Sequence, residues 1–128
     1  MMQYDSGNGK ITVQNAVFAR IVTECGRRFS NRMVFSTPKG KPVREGLSGK
    51  ENMNHITVEY IEALNSVNYR VYVIVKFGVS ISALLESVSD VIRKETARVT
   101  GCGVGRIHFF VTGIKSKNLV RKKLEFIY

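Results

Sequence analysis

The chain is poor in the groups that most often turn a small protein into a metal site, a secreted scaffold or a membrane segment. Its two cysteines, Cys25 and Cys102, lie far apart without a CxxC pairing, and its two histidines, His55 and His108, do not cluster. Zinc ligation and a disulfide framework are therefore set aside, and two reduced thiols in a reducing compartment are expected. The longest wholly apolar run is Val71 to Val75, far short of the roughly 20 residues of a membrane-spanning helix. The opening stretch MMQYDSGNGK has no hydrophobic signal core, which points to a cytoplasmic protein. Acids are scarce as well: ten Asp and Glu against twenty Lys and Arg. None of the ten is placed beside a nucleophile or base in a way that suggests catalysis, so neither an enzyme nor a cofactor is expected.

What the chain does carry is positive charge, unevenly spread. From Arg27 to Lys50 there are seven basic residues (Arg27, Arg28, Arg32, Lys39, Lys41, Arg44, Lys50) against Glu45 alone, a local balance of +6. From Lys115 to Lys123 there are five (Lys115, Lys117, Arg121, Lys122, Lys123) and no acid, a further +5. The total is +10, so the remainder of the chain stands at −1. The excess thus belongs to one long loop and one tail, both suited to meeting a polyanion or an acidic partner.

The 128 residues suit one domain, enough to remove roughly two thirds of the unfolded surface from water. Residues 1–9 read as a disordered lead-in, and Lys10 to Val13 as a short β-prone stretch. Val17, Phe18, Ile21, Val22, Cys25 and Phe29 then form a helical stripe, with Asn15 as its N-cap candidate. Pro38, Gly40, Pro42, Gly46 and Gly49 break every pattern between 30 and 54, and a segment of that length is expected to be a mobile loop. Ile56–Leu64 and Tyr69–Phe77 read as a hairpin around Asn65-Ser66-Val67-Asn68. Leu84, Leu85, Val88, Val91, Ile92 and Val99 mark a second helix, closed by Gly101 where a left-handed residue belongs. Arg106–Gly113 reads as the last strand, and in the tail from 116 to 128 Val120, Leu124 and Ile127 are spaced for a short amphipathic helix. The expected architecture is α+β: one domain over 10–115 with a mixed sheet of about four strands in the order β-α-β-β-α-β. Both helices would cover one face, the element order of a ferredoxin-like sandwich.

Three stretches look like sites and dissolve on inspection. Phe77-Gly78-Val79-Ser80 joins strand to helix but lacks the further glycines of a dinucleotide loop, a Walker loop or a nucleophile elbow. It reads as glycine for the turn and Ser80 or Ser82 for the cap. Gly101-Cys102-Gly103-Val104-Gly105 follows a helix instead of preceding one, the reverse of a phosphate cradle. His108 alternates with Ile107 and Phe109 and so points off the core, with no acid beside it in sequence.

The same residues resemble a known family. Gly9-Lys10-Ile11-Thr12-Val13, followed at once by a helix, is similar to the opening of the bacterial alkaline-shock protein family, also called envelope stress response proteins. YRVYVIVKFGVSISALLESVSDVIRKETARVTG resembles its signature of strand, aromatic-Gly-Val turn, amphipathic helix and closing Thr-Gly, and VGRIHFFVTGI its last strand. Ser82 and Ala83 depart from the proline and acid common after the cap. The resemblance implies a non-enzymatic cytoplasmic protein that forms homo-oligomers or binds other proteins. A membrane-anchored relative would hold it beneath the membrane in some settings, in support of envelope homeostasis. It supplies no catalytic residues.

A second reading is a nucleic-acid-binding module that uses the basic loop and tail, Arg27, Arg28, Arg32, Lys39, Lys41 and Arg44 with Lys115, Lys117, Arg121, Lys122 and Lys123. Docking of the tail on anionic lipid is a variant of it. Against both, Tyr69, Phe77 and Phe109 sit in apolar strand patterns and read as core, not as stacking platforms.

Overall fold

The computed structural model describes residues 3–5, 10–12, 15–43 and 56–128. Of the mobile loop expected over 30–54, residues 44–54, Arg44 and Lys50 among them, lie outside the described residues. Gln3–Asp5 (β1) and Lys10–Thr12 (β2) pair as an antiparallel hairpin of their own. The lead-in expected to be disordered therefore contributes a strand, and the β-prone stretch pairs with it and not with the main sheet.

The main sheet has five strands. Ser66–Lys76 (β5) is its spine, parallel to Gly103–Lys115 (β6). On the other side of β5, Met33–Phe35 (β3) and Ile56–Ile61 (β4) share one edge end to end, both antiparallel to it. Leu119–Ile127 (β7) completes the sheet, antiparallel to β6. The ferredoxin-like expectation therefore holds in class, a mixed sheet with two helices in one domain. It fails in detail: the first predicted strand is outside the sheet, and β3 and β7 are additions to it.

The helices are Asn15–Arg27 (α1) and Ile81–Thr100 (α2). Their buried stripes, Phe18, Ile21, Val22 and Cys25 on α1 and Leu84, Leu85, Val88 and Ile92 on α2, close one core with the odd-numbered residues of β5 and Ile107, Phe109 and Val111 of β6. Both helices thus lie on one face of the sheet, as the stripes predict, although Val17 and Val99 turn outward. The layers are tied by Tyr69 Oη and Thr96 Oγ1 at 2.8 Å, and the two helices by Glu95, which pairs with Arg28 of the α1 exit at 3.6 Å. Gly26 shows a packing constraint that the sequence does not announce: the ring of Phe35 occupies the place where a Cβ would stand.

Turn chemistry follows the residues. Asn65 adopts a left-handed φ of 46° after a single 3-10 turn, Glu62–Leu64, so the hairpin turns three residues earlier than its sequence suggests. Gly78 and Gly101 have φ of 92° and 75°, conformations that favour glycine, and the Gly101 N–H donates to Ala97 O to close α2. Ser80 occupies the N-cap of α2 without a side-chain cap bond.

The tail corrects the sequence reading most sharply. Residues 119–127 form a strand, not an amphipathic helix. Between the pairs Val111↔Leu124 and Gly113↔Arg121, β7 spends three steps against two of β6, so it carries a bulge at Lys122-Lys123. That extra residue resets the alternation and leaves Val120, Leu124 and Ile127 at a spacing that mimics a helix. The strand's end is held by paired bonds between Ile107 and Tyr128 at 3.0 Å each, and by the Tyr128 hydroxyl donating to Ser82 O at 2.9 Å.

Candidate functional site

Because both helices lie on one face, the opposite face of the sheet has no covering layer among the described residues. Its centre is aromatic. Tyr72 of β5 and Phe110 of β6 are register partners, with ring centroids 4.8 Å apart. His108 stacks on Phe110 at 4.1 Å, and the Arg70 guanidinium lies 5.7 Å from the same ring. These side chains have the opposite parity to the buried Val71, Val73, Phe109 and Val111, which is why the alternating strands present them outward.

The platform forms the floor of a cavity of about 910 Å³, walled by Pro38, Thr112 and Leu124. Four cations, Lys39, Arg121, Lys122 and Lys123, line it against one carboxylate, Glu125. Glu125 Oε1 is itself engaged, 2.9 Å from His108 Nε2. Lys39 is positioned by a tight turn. Thr37 N–H donates to Lys41 O at 2.8 Å, Gly40 N–H to Thr37 O at 2.9 Å, and Gly40 takes φ of 88°. Arg121 Nη1 then donates to Lys39 O at 2.7 Å, clamping that turn to β7. Below it, Thr112 is the extra residue of a β6 bulge, with its Oγ1 donating to Val73 O and lying 2.6 Å from Ser36 Oγ.

The cations named from sequence therefore divide into groups. Lys39 from the loop and Arg121, Lys122 and Lys123 from the tail meet on one face, although 82 residues separate Lys39 from Arg121. Arg27 pairs with Glu24 at 3.3 Å and Arg28 with Glu95, so both are engaged on the helical side. Arg32 lies 5.1 Å over the Phe29 ring. With Lys115 it borders a separate apolar cleft of about 500 Å³ made by Val34, Ile74 and Phe77. Lys41 and Lys117 are exposed outside both cavities, and Arg44 lies outside the described residues.

Sequence reasoning placed Tyr69 and Phe109 in the core and His108 off it, and the structure agrees. Phe77 is instead 72% exposed in its turn. Tyr72, Phe110 and Arg70 went unnamed, although their parity against Val71 and Phe109 was a usable signal. Glu125 was hidden as a partner for His108 because the tail was read as a helix. Of the two thiols, Cys25 is 1% exposed. Burial is the main cause that pushes it from 9.0 up to about 11, with Arg28 opposing and Glu95 and Glu24 adding. It stays protonated near neutrality and is a poor nucleophile.

The arrangement defines a two-layer α+β protein with one helical face, one open aromatic and basic face, and no helix among the described residues long and apolar enough to cross a membrane. Residues 3–116 match the model of the alkaline shock protein 23 family, whose description is a cell envelope-related function, and the chain belongs to that family. No curated protein and no solved structure matches it significantly.

Proposed function

We propose that the chain is a non-catalytic cytoplasmic scaffold of the cell envelope that acts by self-association and by binding other proteins, a membrane-anchored relative among them. One observation carries the self-association: the edge strands β4 and β7 of the main sheet have no further strand partner among the described residues and are opposite in charge. The β4 edge carries Glu59 and no basic residue, whereas the β7 edge carries Arg121, Lys122 and Lys123 against Glu125 alone. Two β7 edges repel one another, a common defence of edge strands. A β4 edge meeting the β7 edge of the next copy joins opposite charges and continues the sheet. Such head-to-tail contacts build rings where the rotation between copies closes and open filaments where it does not.

The site chemistry supports the non-catalytic reading. Both thiols, Cys25 and Cys102, are buried, and Cys25 is held protonated by its raised pKa. Among the described residues no three His, Cys, Asp or Glu side chains group as metal ligands. Sedimentation velocity across a concentration series tests the scaffold reading. A weight-average mass that climbs with concentration and falls at high salt is expected. A monomer at every concentration, retrieving no protein partner from lysate, would overturn it.

A further inference from the structure

We propose that the open face of the sheet binds single-stranded nucleic acid, with bases stacked against Tyr72 and Phe110 and phosphates taken by Lys39, Arg121, Lys122 and Lys123. This goes beyond the scaffold reading and does not depend on it. Three features converge on this occupant. The aromatic pair lies at the centre of the face with its rings only half buried, and every base offers a π-face to such a platform. The cavity of about 910 Å³ is at the upper end of the range for small-ligand sites, room for a nucleotide unit and its backbone. The cations sit around the aromatics and not among them, and the one carboxylate is turned toward His108.

Alternative occupants fit less well. A duplex hides its base faces and would leave Tyr72 and Phe110 without a role. An acidic peptide or an anionic lipid headgroup would satisfy the cations, but nothing in either calls for a ring pair at the floor of a recess. His108 stacks on Phe110 and the Arg70 guanidinium lies near the same ring, so both brace it, while Tyr72 and Phe110 line the cavity together with Pro38.

The test is fluorescence anisotropy of the full chain with a labelled twelve-nucleotide oligouridine and the matching oligothymidine, from low to moderate salt. If four phosphates are neutralised, the log–log salt slope is about −3 for a single strand. Phe110→Ala and Tyr72→Ala should each weaken binding by about fivefold or more, in line with loss of one stacked base. Lys39→Ala should flatten the slope by about 0.7. Lys94→Ala, on the helical face, should leave affinity within about twofold, because exposed charges beyond a Debye length are largely screened. Thermal unfolding of each variant reports that the fold is retained, and sedimentation shows whether assembly is unchanged in Phe110→Ala. Equal affinity for a duplex of the same length, for heparin or for phosphatidylglycerol vesicles would overturn the proposal. So would aromatic variants that fold and bind as tightly as the parent, leaving only the attraction of a basic protein for polyanions.

Discussion

Removing the Arg93 guanidinium should loosen the C-terminal strand from the body of the protein. Arg93, on α2, donates from Nη1 to Val104 O and from Nη2 to Gly105 O at 3.2 Å and Tyr128 O at 2.8 Å. One side chain thus fastens the helix to the start of β6 and to the end of β7. A hydrogen bond to a charged donor contributes roughly 1.5–3 kcal/mol when its loss strands a buried partner. Here Gly105 is exposed and Arg93 only half buried, so the freed carbonyls regain water and about 1 kcal/mol for each is the fitting figure. Arg93→Ala should then cost about 2–4 kcal/mol, a fall in melting temperature on the order of 10 °C for a chain of this size. Arg93→Lys should lie between, because a single ammonium cannot fork across three carbonyls. Thermal denaturation gives the magnitude, and hydrogen exchange at the Tyr128 amide, bonded to Ile107 O, gives the location. Both variants within about 0.5 kcal/mol of the parent, with Tyr128 protection unchanged, would refute the clasp.

Burial raises the folded Cys25 thiol to about 11 from 9.0, so the protonated form is favoured in the folded state. Its stability contribution is complete below pH 9 and is lost as pH rises toward 11, by roughly 2–3 kcal/mol for a shift of about two units. Urea titrations from pH 8 to 11 should show this decline in the parent and a shallower one in Cys25→Ala, whose deficit at pH 8 reflects only the cavity; identical slopes would count against the buried thiol. Gly26→Ala should destabilise by about 1–3 kcal/mol despite alanine's better helix propensity, since its Cβ collides with the Phe35 ring. Adding Phe35→Leu should recover part of that loss in a double-mutant cycle, and strict additivity would show that the ring is not the obstacle.

Much of the helical layer was legible because its apolar residues repeat at a helical period and face only one side. Gly101 was legible for a related reason, standing alone where α2 must stop. The sheet was harder, because strand partners are not encoded locally. Lys10–Thr12 looks like a strand and is one, but nothing nearby says that it pairs with Gln3–Asp5. β3 is three residues long, too short to show an alternation, and is recognised by its antiparallel pairing with β5. β7 was misread because the bulge at Lys122-Lys123 breaks its alternation. The open-face site suffered from the same gap: Lys39 and Arg121 are neighbours only once β7 is a strand. The parity of Tyr72 and Phe110 was the one clue available beforehand.

Head-to-tail sheet continuation is tested most directly by reversing the charge of each edge and mixing the products. Glu59→Lys makes both edges of one copy positive, and Lys122→Glu with Lys123→Glu makes the β4 edge face a weakened, acidic β7 edge in another. Each variant alone should sediment as a monomer under conditions where the parent assembles. An equimolar mixture should regain assembly, because every β4–β7 contact between unlike copies again joins opposite charges. Variants that assemble as the parent does, or a mixture that remains monomeric, would contradict the account.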